Sequence, residues 1–136
     1  MRPEPASDEG QATAFSVVMA SALLLLAAFV FDVGSALAER SSTLHTAQEA
    51  ARAGAQQIDL ALYRAEGTVA LEPEQATAAA EDHLAGAGMG GTATVQGETV
   101  TVTAHTTATF TLLPLPERTA SGAASATPLT NEAPDP

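Results

Sequence analysis

Residues 12–31 form an apolar run without one charged side chain, and this run constrains the fold more than any other feature of the sequence. As an α-helix it would span about 30 Å, the thickness of the hydrocarbon core of a bilayer. Half of its side chains are Leu, Val or Phe, so insertion into a membrane is favoured by about 3–6 kcal/mol. The remaining chain is not apolar enough to cover such a helix on all sides. We therefore predict a single-pass transmembrane helix at 12–31, preceded by a hydrophilic leader at 1–11.

The composition excludes several classes of protein. The chain has 16 acidic residues against 5 basic ones and a net charge of −11, which excludes nucleic-acid binding by phosphate neutralisation. It has no cysteine, so neither a disulfide nor a thiolate metal site can form. His45, His83 and His105 fall in separate predicted elements, and from this we expect no metal and no cofactor. Because no P-loop, G-x-S-x-G or H-E-x-x-H motif occurs, we predict neither an enzyme nor a small-molecule substrate.

The stretch after the apolar run predicts an amphipathic continuation of the helix over residues 32–66. It contains no proline and is rich in Ala, Gln, Glu and Arg, which are good helix formers. Its candidate packing residues form one narrow apolar face with a column of small side chains beside it: Leu37, Leu44, Ala47, Ala51, Gly54 and Ile58. Small side chains allow a second helix to approach closely. This face suits packing either on the chain's own C-terminal half or on a partner helix, and both interpretations stay open.

Asp32, Gly34 and Arg40 form a candidate membrane-end motif directly after the apolar run. Asp32 is the only ionisable residue that borders the run, and we expect an interfacial carboxylate there. Gly34 beside it would allow another helix to come near. The tripeptide ending at Ala38 fits the A-x-A site of signal peptidase, so cleavage after Ala38 is an alternative to a retained anchor. The length of the apolar run and a leader without a positive cluster argue against that cleavage.

Residues 67–113 predict a small unit made of one helix and a β-hairpin. A proline at position 73 between two glutamates opens the helix, and a glycine-rich stretch ends it. From Thr92 the pattern alternates with a period of two, with Gly97 at the reversal. One face of the second strand is expected to carry Val100, Val102, Ala104, Ala108, Phe110 and Leu112. Residues 114–136 lack periodicity and predict a disordered tail, so the predicted fold class is α+β.

The first half of the chain also carries a recognisable motif pattern. A hydrophilic leader precedes the apolar helix, a D-x-G motif follows it, and an alanine-rich run comes further on. The residues are Asp8-Glu9-Gly10-Gln11, Asp32-Val33-Gly34, Arg40, Leu44 and the run AQEAARAGA at 47–55. This pattern resembles the TadE/TadG-like proteins of the tight-adherence (Flp) pilus system. With the Thr- and Val-rich strand, the resemblance covers roughly residues 8–113 and is nearest to the short form found in high-GC Gram-positive bacteria.

The resemblance implies a pilin-like architecture and a location in the cell membrane, with the C-terminal part extracytoplasmic. It implies a minor pseudopilin or anchoring component whose partners are the membrane and other Tad/Flp pilus assembly proteins, and an oligomer is compatible with it. Substrates of prepilin peptidase are cut after a glycine and usually carry Glu five positions later, whereas here Phe15 follows Gly10 at that distance. This departure favours a membrane-retained protein over one processed at Gly10. The alternative function is a secreted or anchored envelope binding module unrelated to pili.

Overall fold

The computed structural model describes residues 9–108, 112 and 116–129. Within these residues the chain forms three helices and then three strands: α1 (Glu9–Ala55), α2 (Leu60–Glu66), α3 (Pro73–Gly86), β1 (Gly90–Gln96), β2 (Thr99–Ala108) and β3 (Arg118–Ala126). The strands pair antiparallel in the order β1-β2-β3. The long first helix, the short helices and the antiparallel sheet confirm the predicted α+β class.

Helix α1 ends at Ala55, so the prediction that it continues to residue 66 is wrong. The chain leaves the helix and runs antiparallel to the segment before α3, where Ile58 forms an isolated bridge with Leu71. The amide of Asp59 donates to the carbonyl of Ala70 at 2.8 Å. These contacts pair backbone amides and carbonyls outside the helix. The interruption of the helix after Ala55 therefore costs little free energy. A new helix, α2, begins directly after it.

The Asp59 side chain caps α2. One of its carboxylate oxygens accepts hydrogen bonds from the amides of Ala61 and Leu62, each at 2.9 Å. We expect Asp59→Ala to lower the free energy of unfolding by about 1 kcal/mol because two amides lose their acceptor. The measurement is urea-dependent pulse proteolysis of the full chain in detergent micelles. Asp82→Ala, at an exposed position of α3, is the control and should change stability by less than about 0.5 kcal/mol; equal effects of both variants would contradict the capping role.

The core lies where α1 and α3 pack on one face of the sheet. It consists mainly of alanine, with few larger side chains: Ala47, Ala50, Ala51, Ala55, Leu71, Ala76, Ala80, Leu84, Ala93, Val100, Val102 and Ala104. Such small side chains bring the backbones close together. A Cβ added at Gly54 of α1 would lie 2.7 Å from the Ala76 carbonyl oxygen and 3.0 Å from Cγ1 of Val100. Gly54 therefore sets the distance of α1 from both α3 and β2.

The β-hairpin forms where the sequence predicts it. Gln96 pairs with Thr99 across a two-residue turn, and Gly97 has a φ of 60°, as the first central residue of a type II′ turn requires. Val100 and Val102 are fully buried, which confirms the inner face over this part of β2. The described strand ends at Ala108, Leu112 lies outside it and is exposed, and Phe110 lies outside the described residues.

Strand β3 occupies part of the predicted disordered tail, and that prediction is wrong for Arg118–Ala126. Every second residue from Ala120 to Ala126 is half-buried, while those between are exposed. Gly122 approaches α1 so closely that a Cβ there would lie 3.0 Å from Cα of Leu44. Alanine, serine and glycine alternate on both faces of β3, so the period of two is present in burial but barely visible in hydrophobicity. Residues 130–136 of the predicted tail lie outside the described residues.

Candidate functional site

The N-terminal part of α1 extends away from the folded unit with its apolar side chains uncovered. No part of its most apolar window is buried, and the helix is long and apolar enough to cross a membrane. Leu24, for example, is 72% exposed. The folded unit instead packs on the last turns of α1, where Thr43, Ala47 and Ala51 are fully buried. The surface of α1 before these turns is therefore the candidate functional surface of the chain.

Asp32 is buried at the end of the apolar run. It is only 3% exposed, and the backbone amide of Leu112, 80 residues later, lies 3.3 Å from both of its carboxylate oxygens. An amide donor stabilises a carboxylate that has lost contact with water. Gly34 and Arg40, the other residues of the predicted membrane-end motif, are exposed. The structure thus places Asp32 on the covered side of α1 and leaves Gly34 and Arg40 on its open surface.

Glu39 and two threonines share the covered side of α1 with Asp32 and were missed by sequence reasoning. The Glu39 Oε2 atom is buried and has no hydrogen-bond partner among the described residues. The Thr43 hydroxyl donates to the Glu39 carbonyl at 2.8 Å, which satisfies a polar group that would otherwise be buried alone. Thr46 is also buried. The spacing of 32, 39, 43 and 46 is the helical signal that could have found this side, but their polarity hid it.

The candidate packing residues divide into two groups. Ala47, Ala51 and Gly54 are buried against α3 and the sheet, so the structure places the small-residue column on the chain's own domain. Ile58 lies beyond the end of α1 and pairs with Leu71. Leu37 is 62% exposed and Leu44 is 41% exposed. The two leucines are thus the members of the set that remain accessible to a partner.

The two candidate processing positions both lie within α1. Gly10 is exposed, and a Cβ added there would meet no atom within 4 Å. Ala38 is exposed in the helical stretch that follows the apolar run. Neither position is therefore covered by the folded domain.

A groove of 1210 Å³ opens at the end of the domain far from Asp32. Arg52, Tyr63 and Glu98 are its main polar lining residues, and Ile58 and Leu129 are among its apolar ones. Nearer the middle of the domain, Nε2 of His83 lies 3.5 Å from Oε2 of Glu49, with both side chains exposed. In the described part of the chain, no group of three possible metal ligands occurs.

Comparison with protein families matches residues 10–57 to the family described as Flp pilus-assembly TadE/G-like. The matched segment is almost the whole of α1 and contains the uncovered apolar run, Asp32 and the small-residue column. No curated protein and no solved structure matches the chain. Over residues 10–57, the chain is therefore similar to the TadE/G-like proteins of Flp pilus assembly.

Proposed function

We propose that this protein is a membrane-anchored structural component of a Flp pilus-assembly machine, of the minor pseudopilin type. One observation carries the proposal: the apolar part of α1 lies inside the TadE/G-like segment, and no part of it is covered by the domain. A helix that exposes such a surface to water is unstable unless lipid or other helices surround it. The proposal places residues 12–31 in the cell membrane and the acidic domain on the extracytoplasmic side.

The division of α1 into a covered and an open part limits where partners can bind. From Thr43 onward, α3 and the sheet pack against the small-residue column of α1 and cover it. A partner helix therefore has access to the span itself and to the stretch that follows it, where Gly34 and Leu37 are exposed. Small and apolar side chains at this level suit helix–helix contacts at the membrane border. We accordingly place the partner-binding surface of the assembly role on the open face of α1, along the span and at Gly34 and Leu37.

The residue five positions after Gly10 supports a retained anchor within this proposal. In pilins that are processed, a glutamate at that place pairs with the new amino terminus of a neighbour. Here it is Phe15, so an amine buried in the filament core would lack its partner, which costs several kcal/mol at low dielectric constant. A protein that α1 keeps in the membrane does not bury a new amino terminus in a filament core, so this free-energy cost does not arise.

Site-specific crosslinking tests the assembly role. The natural chain has no cysteine, so Leu37→Cys provides a single attachment point for a photo-crosslinker in membranes of cells that express the whole pilus system. We expect Leu37→Cys to yield crosslinks to other pilus proteins, because the side chain at position 37 is exposed on α1 just beyond the proposed membrane span. Thr103→Cys, on the exposed face of the sheet, is the matched control. Equal products from both positions, or only intramolecular products from position 37, would contradict the proposed surface.

The groove beside the hairpin turn favours a second candidate function, an envelope binding module. It is lined by Glu98 and Thr99 next to that turn and by Arg52 of α1, so it offers charges of both signs to a ligand. Alkaline extraction of membranes separates the two functions. We expect the protein to stay in the membrane pellet at full length because α1 anchors it. Release into the supernatant with a new amino terminus at Glu39 would instead support the secreted module.

A further inference from the structure

The hydrogen bond between Asp32 and Leu112 joins the end of the membrane span to the connection between β2 and β3. The Leu112 amide lies 3.3 Å from both carboxylate oxygens of Asp32, and Asp32 directly follows the apolar run. Leu112 is therefore at the level where α1 leaves the hydrocarbon core. Its side chain is 55% exposed, so it is not part of the core of the domain.

The position of Leu112 along α1 shows how far the connection reaches. Gly122 of β3 lies against Leu44, whereas Leu112 is bonded to Asp32. These two residues of α1 are about 18 Å apart at 1.5 Å per residue. Leu112 thus places one large apolar side chain beside the end of the span.

We infer that Leu112 is a second membrane contact, seated in the acyl-chain boundary of the lipid bilayer and held there by Asp32. This inference rests on the proposed anchoring of α1. The sequence on either side, TFTLLPLP at 109–116, carries no charge and is rich in large apolar residues.

The charge of the chain indicates which part of the bilayer Leu112 contacts. With a net charge of −11, the domain is repelled by anionic headgroups, so electrostatic attraction cannot draw it to the surface. An apolar side chain beside the span gains free energy from the acyl boundary without any such attraction. Asp32 is the positioning residue, because its carboxylate accepts the Leu112 amide at the end of the span.

The test uses the full chain reconstituted in phosphatidylcholine vesicles. A polarity-sensitive fluorophore is attached in turn to Leu112→Cys, to Leu24→Cys in the span, and to Ser121→Cys on an exposed position of β3. Quenching at each position is then compared between lipids that carry a spin label near the headgroup and lipids that carry one deep in the bilayer. We expect several-fold stronger quenching at position 112 than at 121, and no gain when anionic lipid is added.

The outcomes separate this inference from the anchor on which it rests. If position 24 is quenched by spin labels deep in the bilayer while 112 behaves like 121, the anchor stands and the second contact is wrong. If 112 is shielded from a water-soluble quencher but not quenched by lipid, a protein surface covers it, and the inference is wrong. If position 24 is not quenched either, the anchor and the inference both fail.

The role of Asp32 has its own readout. Asp32→Ala removes the acceptor, and we expect lipid quenching at position 112 to fall towards the value at 121. Asp32→Asn keeps a carbonyl oxygen that can accept the same amide, so quenching should be retained. Full quenching in the Asp32→Ala variant would show that Asp32 does not hold Leu112 at the membrane.

Discussion

Gly54→Leu is expected to lower the free energy of unfolding of the domain by about 3 kcal/mol or more, since overpacking alone typically costs about 1–3 kcal/mol and leucine is far larger than the space. Even a single added Cβ would meet the Ala76 carbonyl oxygen at 2.7 Å. A leucine would have to separate α1 from α3 and from Val100 of β2. The measurement is urea-dependent pulse proteolysis of the full chain in detergent micelles.

The matched control is Gly34→Leu, in the same helix. A Cβ added at Gly34 meets no atom within 4 Å, so the domain should keep its stability. Removal of a glycine from a helix interior should even favour the helix by up to about 1 kcal/mol. If the two variants were equally destabilised, the close approach of α3 and β2 at Gly54 would not be the cause of the effect. Because Gly34 lies in the proposed partner surface, the same variant should weaken pilus assembly without unfolding the domain.

Leu24→Arg is expected to release much of the protein from the membrane. Near the middle of the span, exchange of leucine for arginine costs about 3–4 kcal/mol, which is comparable to the whole insertion gain of about 3–6 kcal/mol. Among the described residues, no part of the domain covers this stretch, so the folded domain offers no contact that would compensate for the loss. The measurement is the fraction of full-length protein in the membrane pellet after alkaline extraction.

Leu37→Arg is the control for the membrane prediction. It introduces the same charge on an exposed position of the same helix, but beyond Asp32, where the side chain is outside the hydrocarbon core. We expect the protein to remain in the pellet. Retention of Leu24→Arg to the same extent as the natural chain would mean that residues 12–31 are not what holds the protein in the membrane.

The elements that could be predicted from the sequence have strong local signals. The apolar run of α1 is visible in its length and lack of charge. Pro73 marks the start of α3, and Gly97 with the alternating valines marks the hairpin. Part of the candidate surface follows from the same signals, because the run and its border at Asp32 are read directly from the residues.

The features that could not be predicted depend on contacts between distant segments. The end of α1 at Ala55 requires Ile58 to pair with Leu71, while the local composition favours a longer helix. Strand β3 has no hydrophobic alternation, and it forms because β2 and α1 are there to receive it. The hydrogen bond from the Leu112 amide to Asp32 joins residues 80 positions apart, and neither residue type predicts it.

The close approach of Gly122 to Leu44 joins the first helix of the chain to its last strand. Synthesis runs from the amino end, so α1 exists long before β3 does. Closing so long a loop costs entropy before any contact repays it, and folds built on such distant pairings form slowly. The anchor can therefore enter the membrane early, whereas the domain reaches its final form only after Ala126 has been made.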